Sequence, residues 1–459
     1  MAEQKTDVFS NMSVPKAVLR NVIPAIAAMM MVLIYNLADT FFIGQTKNDL
    51  LIAAVSVSTP VFLIFMAIGT VFGVGGTSVI SRALGEGKHE HAKRVCSFCM
   101  WACVGVGVLM TVGFLIFMNP ILTAAGAKPE TWEPAKTYLT IVSCGGVFVL
   151  ISNCFSNILR AEGQAGKAMM GQIIGNLLNV ILDPIMILLF DWGIAGAAIA
   201  TVIGNAVGAG YYILYFIRGK STLSIRPKDF FVRDGICKNV LAIGIPASLG
   251  SLLMSVSQII VNNQMSEYDN MAVAGMGVAM KVTMITGMAC IGTGQGVQPL
   301  LGYCVGAKLW ERFKKIMKFS LIFALGLSVF MTALGYMFTG QIVKAFLSDQ
   351  AAYDYAVQFA RILLTTSVLF GIFYVLCNAL QAMGAATASL IVNLSRQGLI
   401  YIPALFILQY FFELNGLVWA QPVADVLSMA LVILLYLRTL KRMQQAPVPK
   451  IGRPQENVS

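Results

Sequence analysis

The sequence predicts an all-α membrane protein of twelve transmembrane helices, arranged as two six-helix lobes related by a pseudo-two-fold axis along the membrane normal. Three observations carry that prediction. Hydrophobic residues make up 58% of the 459 and charged residues only 12%, against about 25% charged in a soluble domain. The apolar residues fall into separate runs that each meet the roughly 20 residues needed to cross a bilayer. The chain also repeats itself at a near-constant offset, which marks an internal duplication.

The expected spans of the first half are 17–43, 52–82, 93–117, 134–160, 167–190 and 194–217. Those of the second half are 238–263, 272–302, 315–338, 356–382, 388–411 and 416–437. The first run is too long for a cleaved signal peptide, and no A-x-A-like site separates it from the next span. The net charge of +11 is banded rather than spread. Segments after even-numbered spans are basic: Arg82, Lys88, Lys93 and Arg94; Arg160 and Lys167; Arg218 to Lys238; Lys308 to Lys318. The alternate loops hold only Lys47, Lys128, Lys136, Lys344 and Arg361, with several acids. The positive-inside rule therefore places the basic loops and both termini in the cytoplasm. Banding of this kind argues for a membrane and against a nucleic-acid partner.

"GGTSVISRALGEGKHEHAKR" at 75–94 matches "GVQPLLGYCVGAKLWERFKK" at 296–315, with Gly85 on Gly306. "NILRAEG" at 157–163 matches "NALQAMG" at 378–384, and "GAAIATVIGN" at 196–205 matches "GLVWAQPVAD" at 416–425. An even number of spans per copy leaves the copies parallel, an architecture that binds substrate between lobes and alternates by rocking. The expected lobes are 1–222 and 223–459, the second with a short cytoplasmic tail, joined through the basic 218–238 segment.

Carboxylates in lipid-facing runs are costly and read as functional until a structural partner is found. Asp39 lies six residues before the first outer loop, Asp183 about eight before the outer "FDWG", and Thr201 about eight after it. At 1.5 Å per residue all three fall roughly 9–12 Å below the outer helix ends. Asn179 is one turn from Asp183, and Tyr35 one turn from Asp39. Asp39, Asn179, Asp183 and Thr201 offer the hard oxygen ligands that suit Na⁺. Two coupled carboxylates could equally hold a proton. Asp183, followed by Pro184, has a second reading as the cap of a broken helix. Pro24 removes a helix hydrogen bond and permits a kink in the first span.

Other chemistries fit poorly. Cys96, Cys99 and Cys103 share a helix face without His or acid partners, so they read as packing residues. "GTGQG" at 292–296 lies inside a span, so it is no nucleotide loop. No Walker motif occurs, and no ATPase subunit or organic cofactor is called for; an ion gradient must drive any uphill transport. The protein is not expected to be an enzyme.

Taken together, "ADTFFIG" at 38–44, "LRAEGQ" at 159–164, "NVILDP" at 179–184, "GIAGAAIAT" at 193–201 and "GQGVQPLLGYCVGA" at 294–307 resemble the multidrug and toxic compound extrusion (MATE) transporters. The likeness is to the bacterial branch of DinF-like and MepA-like proteins. That resemblance implies a V-shaped, two-lobed fold in the bacterial inner membrane and export of organic cations and other amphipathic drugs, driven by inward H⁺ or Na⁺. It implies a cation site at Asp39, Asn179, Asp183 and Thr201, with Tyr35 and Pro24 tied to bending of the first helix. A monomer is expected. Other members carry an acidic pair on the seventh and tenth helices, where this chain has Met254 and approximately Phe370, so a second coupling site is not expected.

The second half does not repeat the first-half constellation: Val261, Ala404 and Gln421 match Asp39, Asp183 and Thr201. It has Lys281, Arg396 and Asp425 instead, each nine to eleven residues inside a span and near mid-bilayer. They are expected to form a structural charge cluster, or else a polar patch that Gln258, Asn262, Gln295 and Gln298 extend toward cargo. The methionines, including Met29 to Met31, Met284 and Met288, suit an adaptable cavity. A lipid-linked oligosaccharide or polysaccharide flippase is the competing function. It would need a ring of central Arg and Lys, and only Lys281 and Arg396 are central.

Overall fold

The computed structural model describes residues 9–46, 49–125, 127–219, 221–347 and 349–445. Among them the apolar runs are all helical and no strand occurs, because a helix satisfies its own backbone where lipid offers no hydrogen bonds. The first six spans are Val14–Gln45, Asp49–Gly85, His89–Ile116, a bent fourth span of Pro129–Cys144 and Gly146–Ala161, then Ala165–Pro184 and Gly193–Ile217. The seventh to ninth are Ile236–Ser266, Asn270–Gly306 and Trp310–Phe346. The tenth is a bent pair, Gln350–Ser367 and Phe370–Ala382.

The remaining helix, Ala386–Gln445, is 60 residues long. At 1.5 Å per residue it would measure about 90 Å, three times the hydrocarbon core. It is two spans. The backbone leaves the helix at Glu413 (φ 50°, ψ −130°), and a Cβ on Gly416 would lie 2.0 Å from the Leu408 carbonyl oxygen, a contact that only a chain doubling back can make. The total among the described residues is then twelve, six in each half.

The duplication is visible in the bends. The fourth span turns by 53° at Gly145 and the tenth by 50° at its equivalent place. A Gly145-Gly146 pair permits the first bend. In the second, the Gly371 N–H donates to Ser328 Oγ at 3.0 Å, so a side chain of the ninth span takes part in the helix ladder at the bend.

The lobes meet near the basic-loop end, through glycines. Gly85 and Gly306 are equivalents, and their contacts are reciprocal: a Cβ on Gly85 would lie 2.2 Å from the Tyr303 oxygen, and one on Gly306 2.1 Å from the Arg82 oxygen. Arg82 and Tyr303 are themselves equivalents, so the pseudo-two-fold axis passes between these pairs. The N-terminal end of the first span is buried in the second lobe, where Ala17, Val18 and Val22 join a core with Val297, Leu300 and Leu301. That helix therefore belongs to both lobes.

Gly244 of the seventh span lies against the second, where its Cβ would fall 1.9 Å from the Val71 oxygen. Backbone cannot yield as a side chain can, so Gly244→Ala is expected to push the lobes apart at the basic-loop end. Hydrogen–deuterium exchange should rise in 71–86 and 302–308, with little change in 146–161. Unchanged exchange in both segments would refute this reading of the interface.

Candidate cation site and the cavities of the two lobes

The fifth and sixth spans approach closely at Gly175 and Gly204, each of whose added Cβ would fall within 2.7 Å of the other's carbonyl oxygen. Small residues at such spacing let helix backbones touch in a membrane. One turn further out, this contact presses Asn179 against Thr201, and the Asn179 amide donates to the Thr201 hydroxyl at 3.4 Å. Asn179, Thr201 and Asp183 are all buried, Asp183 completely. Tyr35 of the first span comes within hydrogen-bonding reach of Thr201 and within electrostatic range of Asp39 and Asp183. Asp183 lies within electrostatic range of Asp39.

The chemistry follows from what is missing. Both carboxylate oxygens of Asp183 and the carbonyl oxygen of Asn179 are buried without a hydrogen-bond partner. A buried carboxylate with no donor is costly unless it is neutralised. The acceptors gathered here are carboxylate, amide and hydroxyl oxygens, which fit a proton or a small hard cation. Pro184 ends the regular helix and a π turn, Ile185–Leu189, follows, so Asp183 sits where helical hydrogen bonding changes. Pro24 lies within a first span that stays helical from Val14 to Gln45.

Tyr138 was not anticipated. It lies on the fourth span, buried, in electrostatic range of both Asp39 and Asp183. The signal was present: it is nine residues inside a helix that begins at Pro129, within about a turn of the depth counted for the carboxylates.

Arg160, read from sequence as part of a basic loop, is instead 2% exposed at the C-terminal end of the fourth span. Its Nη1 donates to Asn157 at 3.1 Å and, across the lobe boundary, to Gln295 at 2.5 Å. Arg160, Gln295 and Tyr35 line a first-lobe cavity of about 240 Å³, walled also by Asn153, Asn157 and Asn176.

In the second lobe the structure brings Arg396 and Asp425 together but not Lys281. Arg396 Nε lies 2.9 Å from Asp425 Oδ1. Asp425 also accepts from Thr366 at 2.9 Å and Gln421 at 3.0 Å. Arg396 donates to the Tyr374 hydroxyl at 3.0 Å, and its guanidinium lies 4.7 Å from the Phe370 ring centroid. Lys281 Nζ is placed over the Phe346 ring at 4.8 Å, and no ion pair among the described residues includes it. Equal depth says nothing about which way a helix face points, which is why counting grouped Lys281 with Asp425. Lys281, Gln258 and Met254 line a second-lobe cavity of about 250 Å³ with Met276, Met280 and Met284. Gln258 donates to Asn262 at 3.0 Å, and Gln298 is buried with its amide nitrogen unpartnered.

Comparison with known proteins places this geometry in context. The MatE family model matches residues 24–185 and 246–407, two stretches 222 residues apart. The multidrug export protein MepA of Staphylococcus aureus (strain NCTC 8325 / PS 47) is 30% identical over 440 residues, covering 95% of this chain and 97% of that one. MepA of Staphylococcus haemolyticus (strain JCSC1435) is 29% identical over 457 residues, covering 98% and 100%. An outward-facing structure of a multidrug resistance MATE family transporter superposes with a TM-score of 0.90 at 24% identity, covering 96% of this chain and 98% of that one; it shares the fold.

Proposed function

The chain belongs to the MATE family of transporters, and on that footing we propose that it is a secondary active antiporter that exports organic cations and other amphipathic drugs in exchange for H⁺ or Na⁺. The observation that carries this reading is the buried Asp183 carboxylate, unpartnered at both oxygens beside Asn179, Thr201 and Asp39. A static ion pair would have supplied a basic residue; here both Asp183 oxygens stay unpartnered, as a mobile cation requires. Asp39 and Asp183 bind the ion, Asn179 and Thr201 complete its oxygen shell, and Tyr35 links the site to the cavity that it lines. The protein works as a monomer in the bacterial inner membrane with both termini in the cytoplasm, its lobes being 1–222 and 223–459.

Ion binding neutralises two repelling carboxylates and draws the first, fifth and sixth spans together. Because the inner end of the first span is buried in the second lobe, that movement biases lobe rocking, and ion and cargo oppose each other through one equilibrium. Pro24 gives the first span its place to bend. The test is transport of ethidium by the purified chain in liposomes, with a pH or a Na⁺ gradient imposed alone. Uptake driven by one gradient and abolished by its collapse is expected. Equal rates with and without either gradient would overturn antiport.

A further inference from the structure

Arg160 is a cation for which the described residues supply no acid. It is 2% exposed, and its two hydrogen-bond partners, Asn157 and Gln295, are neutral amides. Its Nη2 is buried and has no partner. No ion pair among the described residues includes it. Burying a guanidinium this way is costly unless an anion joins it for part of the cycle.

The surroundings match an anionic ligand. The cavity that Arg160 lines carries no carboxylate among its described lining residues, and its polar wall combines amides with the hydroxyls of Tyr35, Thr70, Ser152 and Ser156. One of the amides, Asn176, also holds a buried donor, Nδ2, without a partner. Met29, Phe62 and Met66 supply an apolar wall. A guanidinium fork beside amide donors is the geometry that holds a carboxylate through two parallel hydrogen bonds. Gln295 comes from the other lobe, so its grip on Arg160 exists only while the lobes are closed at the basic-loop end.

We propose that Arg160 is the anchor for the carboxylate of an amphipathic organic anion or zwitterion in the first-lobe cavity, and that this carboxylate displaces Gln295. Cargo binding and opening at the basic-loop end are then linked: with the lobes closed Arg160 holds Gln295, and with them parted it holds the carboxylate. This rests on the reading of the chain as an exporter of amphipathic compounds and narrows one class of them.

Binding is measured without any gradient, so its outcome is separate from that of export. The full chain is placed in nanodiscs of zwitterionic lipid, which removes anionic headgroups as competitors. Radiolabelled indomethacin, an amphipathic carboxylate, is compared with its uncharged methyl ester. The acid is expected to bind more tightly by roughly 10- to 150-fold, the value of a hydrogen bond to a charged group. Arg160→Gln should abolish that preference while ester binding persists, and Arg160→Lys should keep part of it. Bound acid should also raise hydrogen exchange around residues 292–298. Equal binding of acid and ester by the parent would overturn the proposal, whether or not the variants fold. So would an acid preference that survives in Arg160→Gln.

Discussion

Asp183→Asn yields a protein that folds and inserts but no longer exports against an imposed ion gradient. The substitution keeps size and hydrogen-bonding capacity and removes the charge, so it imitates the neutralised carboxylate permanently. Asp183 is completely buried, and neither of its oxygens has a protein partner. Losing the charge therefore breaks no internal ion pair, and relief from Asp39 repulsion offsets part of any cost. Thermal stability should hold or rise. What is lost is the difference in ion affinity between conformers, and coupling of this kind is typically about 1–3 kcal/mol, or 5- to 150-fold. Asp39→Asn should act in the same direction, with a milder change in stability because Asp39 is only partly buried. Both variants should retain cargo binding and facilitated, gradient-independent exchange. The measurement is proteoliposome transport under each gradient, with insertion checked by protease protection. Parent-like rates with parent-like ion dependence in both variants would place the coupling elsewhere.

The sequence carried the architecture and much of the candidate constellation, and the reasons differ by level. Span count and duplication depend on runs of about 20 apolar residues and a fixed offset, which are one-dimensional facts. Depth along a helix is also one-dimensional, at 1.5 Å per residue, so Asp39, Asp183 and Thr201 could be set at one level before their helices were packed. Azimuth is not. Lys281 and Asp425 share a depth, yet Lys281 lies over Phe346 while Asp425 takes Arg396. Arg160 misled for a related reason: a basic residue at a helix end normally faces water, and only the lobe closure that brings Gln295 to it shows otherwise. Helix ends were also longer than the apolar runs, as with Asn270–Gly306 against an expected 272–302, because helices continue beyond the hydrocarbon into the basic loops. The break at Glu413 has a left-handed φ in a non-glycine residue, which composition does not signal.

Removing Asp425 alone should be the most destabilising single change in the second lobe, and removing Arg396 with it should restore most of the loss. Their side chains are 3% and 10% exposed. Asp425 accepts from Arg396, Thr366 and Gln421, and Arg396 also donates to Tyr374 and stacks on Phe370. Asp425→Leu leaves a buried guanidinium with only a phenol and ring faces for company. Breaking a buried pair on one side typically costs about 3–5 kcal/mol, whereas replacing both partners with apolar residues of similar volume is often neutral or stabilising. Arg396→Met with Asp425→Leu should therefore approach the parent's thermal midpoint in detergent, while each single variant falls well below it. The double variant also separates scaffold from machinery. Asp425 holds three hydrogen-bonding groups in fixed positions, in contrast to the unpartnered Asp183, so the stable double variant should keep the parent's ion dependence of export. Should it fold normally and lose that dependence, Asp425 would belong to the coupling path, and the second lobe would carry an ion site of its own.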